Sequence, residues 1–263
     1  MEDAEGVANI EHRTPNTEHR MNGESGNRWG PWLVILLLVG IVGTLIVLDR
    51  RRPAAVPAPT PPGIVHLRLA ITQDLEIAGA TDFGEPPQIA VWLEPLPKGP
   101  PRTLYVSYRS GTGDWKGKSE CPDVLPRWFA AYRAEHGVET GCPTPQNPLP
   151  DAIAQATPQT PDFTIEAQLT PGSRWRIWLE VNLSADYNDA FPAFDENGMD
   201  DLHANGQPSL LYTAEFTAKP KAAPQLALTA RTIPNSLTAE TTPDLSGITS
   251  ARHLLPKLEL RIE

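Results

Sequence analysis

The sequence predicts an all-β head, an antiparallel β-sandwich with one short helix, carried behind an N-terminal transmembrane helix. Three observations predict it. Apolar and polar residues alternate through eight segments after residue 63, Pro- and Gly-rich turns separate those segments, and residues 32–48 form an unbroken apolar run. Alternation is the period of a half-buried strand, and many short strands with turn signals between them favour a sandwich. At 263 residues and 40% apolar content, the chain can build a substantial core. A formal net charge of −10 removes the electrostatic footing for nucleic-acid binding. Two cysteines cannot supply an all-thiolate zinc site, an iron–sulfur cluster or a dense disulfide scaffold.

Residues 1–28 are polar, rich in Glu, Asn and Arg and without periodicity, which predicts a disordered tail. Residues 29–49 predict the membrane helix. Trp32 to Leu48 reads WLVILLLVGIVGTLIVL, apolar apart from Thr44 and two glycines. About 17–25 such residues cross a hydrocarbon layer of ~30 Å. A signal-peptide core is shorter and ends in small residues, whereas Arg50, Arg51 and Arg52 follow here. Met21 is an alternative start to Met1. Residues 50–63 predict an extended spacer, PAAVPAPTPPG over Pro53–Gly63.

Orientation sets two signals against each other. Positive residues favour the cytoplasmic side, and Arg50–Arg52 on one flank compete with Arg13, Arg20 and Arg28 on the other. The spacer lifts a domain off a surface, and a Cys121–Cys142 disulfide would persist only in an oxidising compartment. The expectation is a single-pass protein of the inner (cytoplasmic) membrane, with its large domain in the periplasm.

Residues 64–263 form the expected head, with a core over 64–218 and additional strands over 219–263. Val65, Leu67, Leu69 and Ile71 share one face of the first strand, and Ile89, Val91 and Leu93 one face of the second. Leu104, Val106 and Tyr108 do so in the third, and Phe163, Ile165, Ala167 and Leu169 in the fourth. Trp175, Ile177, Leu179, Val181 and Leu183 align in the fifth; Leu210, Tyr212, Ala214 and Phe216 in the sixth. Leu226, Leu228 and Ala230 mark the seventh, and Leu258, Leu260 and Ile262 the eighth. One helix is expected over Leu125–Glu135, with Pro126 near its start and Gly137 as its stop.

Catalytic signatures are missing: no G-x-S-x-G, no G-x-x-x-x-G-K-[ST], no G-x-G-x-x-G, no H-E-x-x-H and no C-x-x-C. The six histidines are scattered and never pair at metal-ligand spacing. The expectation is a binding or accessory module with no resident cofactor, and not an enzyme. Cys121 and Cys142 flank the expected helix, and a disulfide there would restrict the unfolded chain by roughly 3 kcal/mol. Asp186, Asp189, Asp195, Asn197 and Asp200 crowd oxygen ligands onto one loop, either a calcium loop or simply a solvated acidic one. Trp175 and Trp178 point to opposite strand faces, one into the core. The other is either an exposed platform for a sugar or partner, or buried beneath the helix.

Several pieces in order are similar to a family of periplasmic proteins called domain of unknown function 2271: Ile89–Glu94 (IAVWLE), Arg102–Val106 (RTLYV), Leu125–Trp128 (LPRW), Asp151–Pro158 (DAIAQATP) and Trp178–Asn182 (WLEVN). The resemblance covers about residues 64–218. It implies a fibronectin- or immunoglobulin-like sandwich, attached to exported flavin-based electron-transfer systems and their membrane partners. The family's D-x-x-S-G-A-T stretch is similar to the sequence at which flavin transferases attach FMN to Thr, which here would be Thr157. Asp151, Ala156 and Thr157 match that stretch, while Ala154 and Gln155 replace its Ser and Gly. The Gln side chain fills space that a transferase needs near the backbone. The resemblance therefore implies an accessory domain docking a redox partner, with a flavin-carrying protein as the alternative. Exposed tryptophans keep cell-wall or polysaccharide binding as a further one. The expected partners are the bilayer and another membrane or exported protein.

Overall fold

The computed structural model describes residues 63–116, 124–233 and 239–263. The expected tail, membrane helix and spacer lie outside these residues, apart from Gly63. No helix among the described residues is long and apolar enough to cross a membrane. The chain divides into two units, residues 1–59 and 60–263, and all described residues fall in the second.

The described part is mostly β-sheet with few helices. In chain order it runs β1 (Val65–Thr72), α1 (Leu75–Gly79), β2 (Gln88–Leu96), β3 (Arg102–Ser107), α2 (Tyr108–Thr112) and α3 (Pro126–His136). It continues with β4 (Ala154–Gln155), β5 (Asp162–Leu169), β6 (Arg174–Asn182), β7 (Leu210–Thr217), β8 (Ala227–Thr232) and β9 (Thr241–Thr242). A 3-10 turn at Ser250–His253 and β10 (Lys257–Ile262) complete it. One sheet has the order β10-β1-β5, and the other β4-β3-β2-β6-β7-β8-β9.

The two sheets share the main core. Leu67, Leu69 and Ile71 of β1, Ile165 and Leu169 of β5, and Leu260 and Ile262 of β10 meet Ile89, Val91 and Leu93 of β2. Ile177, Leu179 and Val181 of β6, and Leu210, Tyr212, Ala214 and Phe216 of β7, complete that core. These are the faces that alternation assigns to the interior. Burying a side chain of this size stabilises by about 1.5–3 kcal/mol, so the period-2 pattern fixes each strand's register. The 219–263 segment is integral to the fold: β10 pairs with β1 from Leu67↔Ile262 to Thr72↔Lys257.

A second core lies on the outer face of the large sheet, where α3 packs Trp128, Phe129 and Tyr132 against Ala90, Trp92, Val106 and Leu211. Strand β2 is therefore buried on both faces, which simple alternation does not anticipate.

Three expectations need correction. The sheet is not wholly antiparallel, because β4 pairs parallel to β3 at Val106↔Ala154 and Ser107↔Gln155. Three helices lie among the described residues, where one was expected in the head; α1 and α2 have only five residues each and are too short to carry a 3.6-residue period. Asp74 caps α1 by accepting from the Glu76 and Ile77 amides at 3.0 and 3.1 Å. Finally, Leu104, Val106 and Tyr108 do not share one buried face. Tyr105 enters the main core and Val106 the α3 layer, the β2–β3 register shifts at Val91/Trp92, and Tyr108 opens α2 with 43% exposure.

Candidate functional site

The N-terminus of α3 is held by a residue from a distant strand. A helix start leaves backbone N–H groups without partners, and Leu125 at the N-cap offers no side-chain acceptor. Pro126 has no N–H to satisfy. Glu180 of β6 serves the next two, accepting from the Arg127 amide at 3.3 Å and the Trp128 amide at 2.7 Å. The Phe129 amide returns to Leu125 O at 3.0 Å, and the accounting is complete. Ser209 Oγ donates to Glu180 at 2.6 Å and lies 2.9 Å from Thr232 Oγ1. Glu180 is fully buried. Burial pushes its carboxyl up to about 7, against the pull of the Ser209, Trp128 and Arg127 bonds and the Arg127 charge. At its far end α3 stops on Gly137, whose φ of +65° suits glycine.

Beside this clamp, a cleft of about 250 Å³ opens between the start of α3 and the 183–209 loop. Ser209, Thr232 and Asn182 provide polar lining, and Val124, Phe191 and Ile233 apolar lining. The loop is pinned from within. Asp186 accepts from Ser250 Oγ at 2.7 Å and from Gln207 Nε2 at 2.7 Å. Asn188 Nδ2 donates to Gly247 O and Thr249 Oγ1, both at 2.9 Å. Gly206 takes φ +65°, and a Cβ there would lie 2.6 Å from the Asp186 nitrogen. The pinned loop presents Phe194, Met199 and Leu202 outward at 61, 63 and 78% exposure.

The five expected calcium-loop residues do not converge. Asp186 is buried and bonded to Ser250 and Gln207, and burial raises its carboxyl above the ordinary value. Asp195 is spent on its own turn, accepting from the Asn197 and Met199 amides at 2.8 Å each. Those bonds, Met199 first, hold its carboxyl low. Asp189, Asn197 and Asp200 are exposed. Among the described residues no group of three or more His, Cys, Asp or Glu is placed to hold a metal ion.

Thr157 sits elsewhere, where the 151–157 stretch lies against the β3 edge. It is 9% exposed, and its hydroxyl donates to Pro87 O at 2.9 Å and lies 2.8 Å from Ser107 Oγ. It lines a cleft of about 240 Å³ whose other walls include Glu85, Arg109 and Tyr108. Arg109 pairs with Glu85 at 2.8 Å. Behind it lies Tyr105, whose phenol burial pushes up while the Thr157 and Ser107 hydroxyls oppose the shift. The hydroxyl that a transferase would need points into the fold. Gln155 is exposed and Ala154 is buried.

Trp175 packs partly buried against the main core, and Trp178 lies partly buried in the α3 layer. Trp178 stacks on Trp92 with centroids 5.9 Å apart, and the Arg127 and Arg176 guanidiniums lie 5.3 and 5.8 Å from its ring centre. Glu94 pairs with both arginines at 3.7 Å. Trp178 is thus covered by arginines and offers no bare platform. Cys142 is exposed and bonded to no cysteine among the described residues, and Cys121, its expected partner, lies outside them.

Sequence reasoning passes over Glu180, because alternation places it on a face reserved for solvent. The signal available was indirect: a helix starting Leu-Pro-Arg-Trp carries no Ser, Thr, Asp or Asn cap of its own. No family model, curated protein or solved structure matches the chain. The resemblance to domain of unknown function 2271 therefore rests on its short motifs.

Proposed function

We propose that the chain is a single-pass, membrane-anchored accessory module whose fibronectin-like sandwich head docks another membrane or exported protein outside the cytoplasm. The apolar run at residues 32–48 supports the anchor, and the Pro-rich spacer supports the reach. The observation that carries the docking role is the outward set of Phe194, Met199 and Leu202 on a loop pinned at both ends. Large exposed apolar groups held clear of the core mark interaction surfaces.

Charge narrows the partner. No Lys or Arg occurs between Arg176 and Lys219, while Asp186, Asp189, Asp195, Glu196, Asp200 and Asp201 all fall there. Such a loop is repelled by anionic lipid and complements a protein patch in which Lys and Arg surround apolar side chains. Support for a binding role over catalysis comes from the polar clusters: Ser107 with Thr157, and Glu180 with Ser209, direct their bonds at the fold's own backbone.

The test is cross-linking of the full chain in its native membranes, with Phe194, Met199 and Leu202 each changed to Ser in the comparison chain. A discrete cross-linked protein, lost in the triple variant, is the expected result. An unchanged cross-linking pattern, or substrate turnover by the purified protein, overturns the reading. Orientation is tested separately by a membrane-impermeant maleimide on intact cells. Cys121 and Cys142 should react from outside only after reduction; labelling of both as free thiols from the cytoplasmic face sinks the topology.

A further inference from the structure

We propose that the cleft between the start of α3 and the 183–209 loop is the socket for one arginine side chain of the docked partner: the guanidinium meets Asp195 and Asp201, and the stem lies along Phe191 and Ile233. This inference rests on the docking role proposed above and names the group that anchors it.

Size limits the occupant. At about 250 Å³ the cleft falls below the ~300–1,000 Å³ that encloses drug-sized ligands, and it suits a single long side chain. Its chemistry is divided. Phe191, Pro192, Pro208 and Ile233 give it apolar walls, and Asp195 and Asp201 are the ionisable groups among its described lining residues. The two carboxylates come from facing arms of one small hairpin, where the Asp195 amide donates to Met199 O and the Asp201 amide to Ala193 O, both at 2.9 Å. Phe194, Met199 and Leu202 belong to the same stretch, so the socket adjoins the exposed apolar groups of the docking surface.

Both carboxylates keep an oxygen for an incoming cation. Asp195 accepts the Asn197 and Met199 amides on Oδ1 at 2.8 Å each, while its Oδ2 has only a 3.5 Å contact from Asn197 Nδ2. Asp201 accepts from the Gly206 amide on Oδ2 at 2.9 Å. Its Oδ1 is shut off from water with no hydrogen-bond partner among the described residues, which costs free energy until a donor arrives. No Lys or Arg is among the described lining residues. Arg231, whose guanidinium lies 5.5 Å from the Phe191 ring centre, donates instead to Asp244 O at 2.7 Å and Thr232 O at 3.2 Å. Arginine fits better than lysine: its planar fork can serve two carboxylates at once, and its weakly hydrated faces tolerate apolar walls.

Amide resonances of the full chain in detergent micelles test the socket without the partner, with N-acetyl-arginine amide as the probe. The Gly206 and Thr232 amides should shift saturably, half-way at roughly millimolar probe. The citrulline amide, a neutral isostere, should not shift them, and the lysine amide should bind more weakly. Asp201→Asn keeps an acceptor for the Gly206 amide but removes the charge, and should weaken probe binding about tenfold. Ile233→Lys, at a position 39% exposed, puts the chain's own cation at the mouth and should block the probe, whatever the first variant does to the loop. In native membranes both variants should lower recovery of the cross-linked partner about tenfold.

Equal shifts from the citrulline and arginine amides, or none from either, overturn the socket while the docking role keeps its own test. A partner cross-link removed by changing Phe194, Met199 and Leu202, yet untouched by Asp201→Asn and Ile233→Lys, overturns it as well. Tighter binding of free 1,4-diaminobutane than of the arginine amide assigns the cleft to a small solute, with the same result. Saturable arginine binding with no cross-linked partner at all marks failure of the docking role itself, and the partner's arginine falls with it.

Discussion

Thr103 and Glu135 tie the C-terminal half of α3 to β3: Glu135 Oε2 accepts from the Thr103 amide at 2.9 Å and from its hydroxyl at 2.6 Å. The same hydroxyl oxygen accepts from Trp128 Nε1 at 3.2 Å. With Glu180 at the other end, the helix is fastened to its sheet by two carboxylates pointing in opposite directions. One is sent by the helix and one by the sheet.

Thr103→Val keeps the volume and deletes the hydroxyl, leaving the Trp128 indole N–H without its acceptor and Glu135 one bond short. The expected cost is about 1–3 kcal/mol, the penalty for stranding buried polar groups. Urea denaturation of the full chain, followed by the tryptophans that surround α3, measures it.

Glu180 gives stability a definite pH dependence. Its folded-state value, about 7, lies above the ordinary 4.5, so the folded chain binds this proton more tightly than the unfolded one. The contribution is fully favourable below about 4.5, is lost as pH rises from there to about 7, and stays lost above. The change is on the order of 3 kcal/mol. Glu180→Gln should match the unmodified chain near pH 5 and exceed it in stability near pH 8. Equal slopes in denaturation midpoint against pH for the two chains contradict this assignment.

Thr157 should remain unmodified. Its hydroxyl is buried and bonded to Pro87 O, and co-expression with an active flavin transferase should leave the intact mass without FMN. Thr157→Val should instead cost about 1 kcal/mol through the lost bonds to Pro87 O and Ser107 Oγ, since Ser107 Oγ still accepts from the Ile89 amide at 2.7 Å. Added FMN mass that disappears in this variant would restore the flavin-carrying alternative.

Gly206→Ala places a side chain at positive φ and within 2.6 Å of the Asp186 nitrogen. A loss of about 1–3 kcal/mol is expected from the strained backbone alone. Proteolysis should then open first within residues 186–206, since Asp186 anchors that loop. Changing Phe194, Met199 and Leu202 to Ser should leave stability within about 0.5 kcal/mol, as for exposed positions generally. Loss of partner cross-linking in that chain then reports binding and not unfolding.

The main core was legible because period-2 alternation requires only local sequence: Ile177, Leu179 and Val181 fall where it places them. The helix was legible from Pro126 and Gly137, one on either side of an aromatic, alanine-rich stretch. What escaped notice was long-range. Trp92 and Ala90 read as a solvent face until α3 covers them, and Glu180 reads as a solvated acid until the same helix brings two amides to it. The calcium-loop residues share a composition but not a direction, because Asp186 bonds inward to Ser250 while Asp195 bonds to its own turn. Spacing along the chain carries no information about that divergence.

The pairing of β1 with β10 sets an order of events in biosynthesis. β1 leaves the ribosome before any other strand of the head, yet Arg68 through Thr72 have no ladder partner on that side until β10 follows. Until then, nascent chains would carry an open strand edge above Leu67, Leu69 and Ile71, three side chains with no exposure in the finished fold. Chains stalled or cut before Lys257 would keep that edge, and quality-control proteases and holdases would meet them as adhesive fragments.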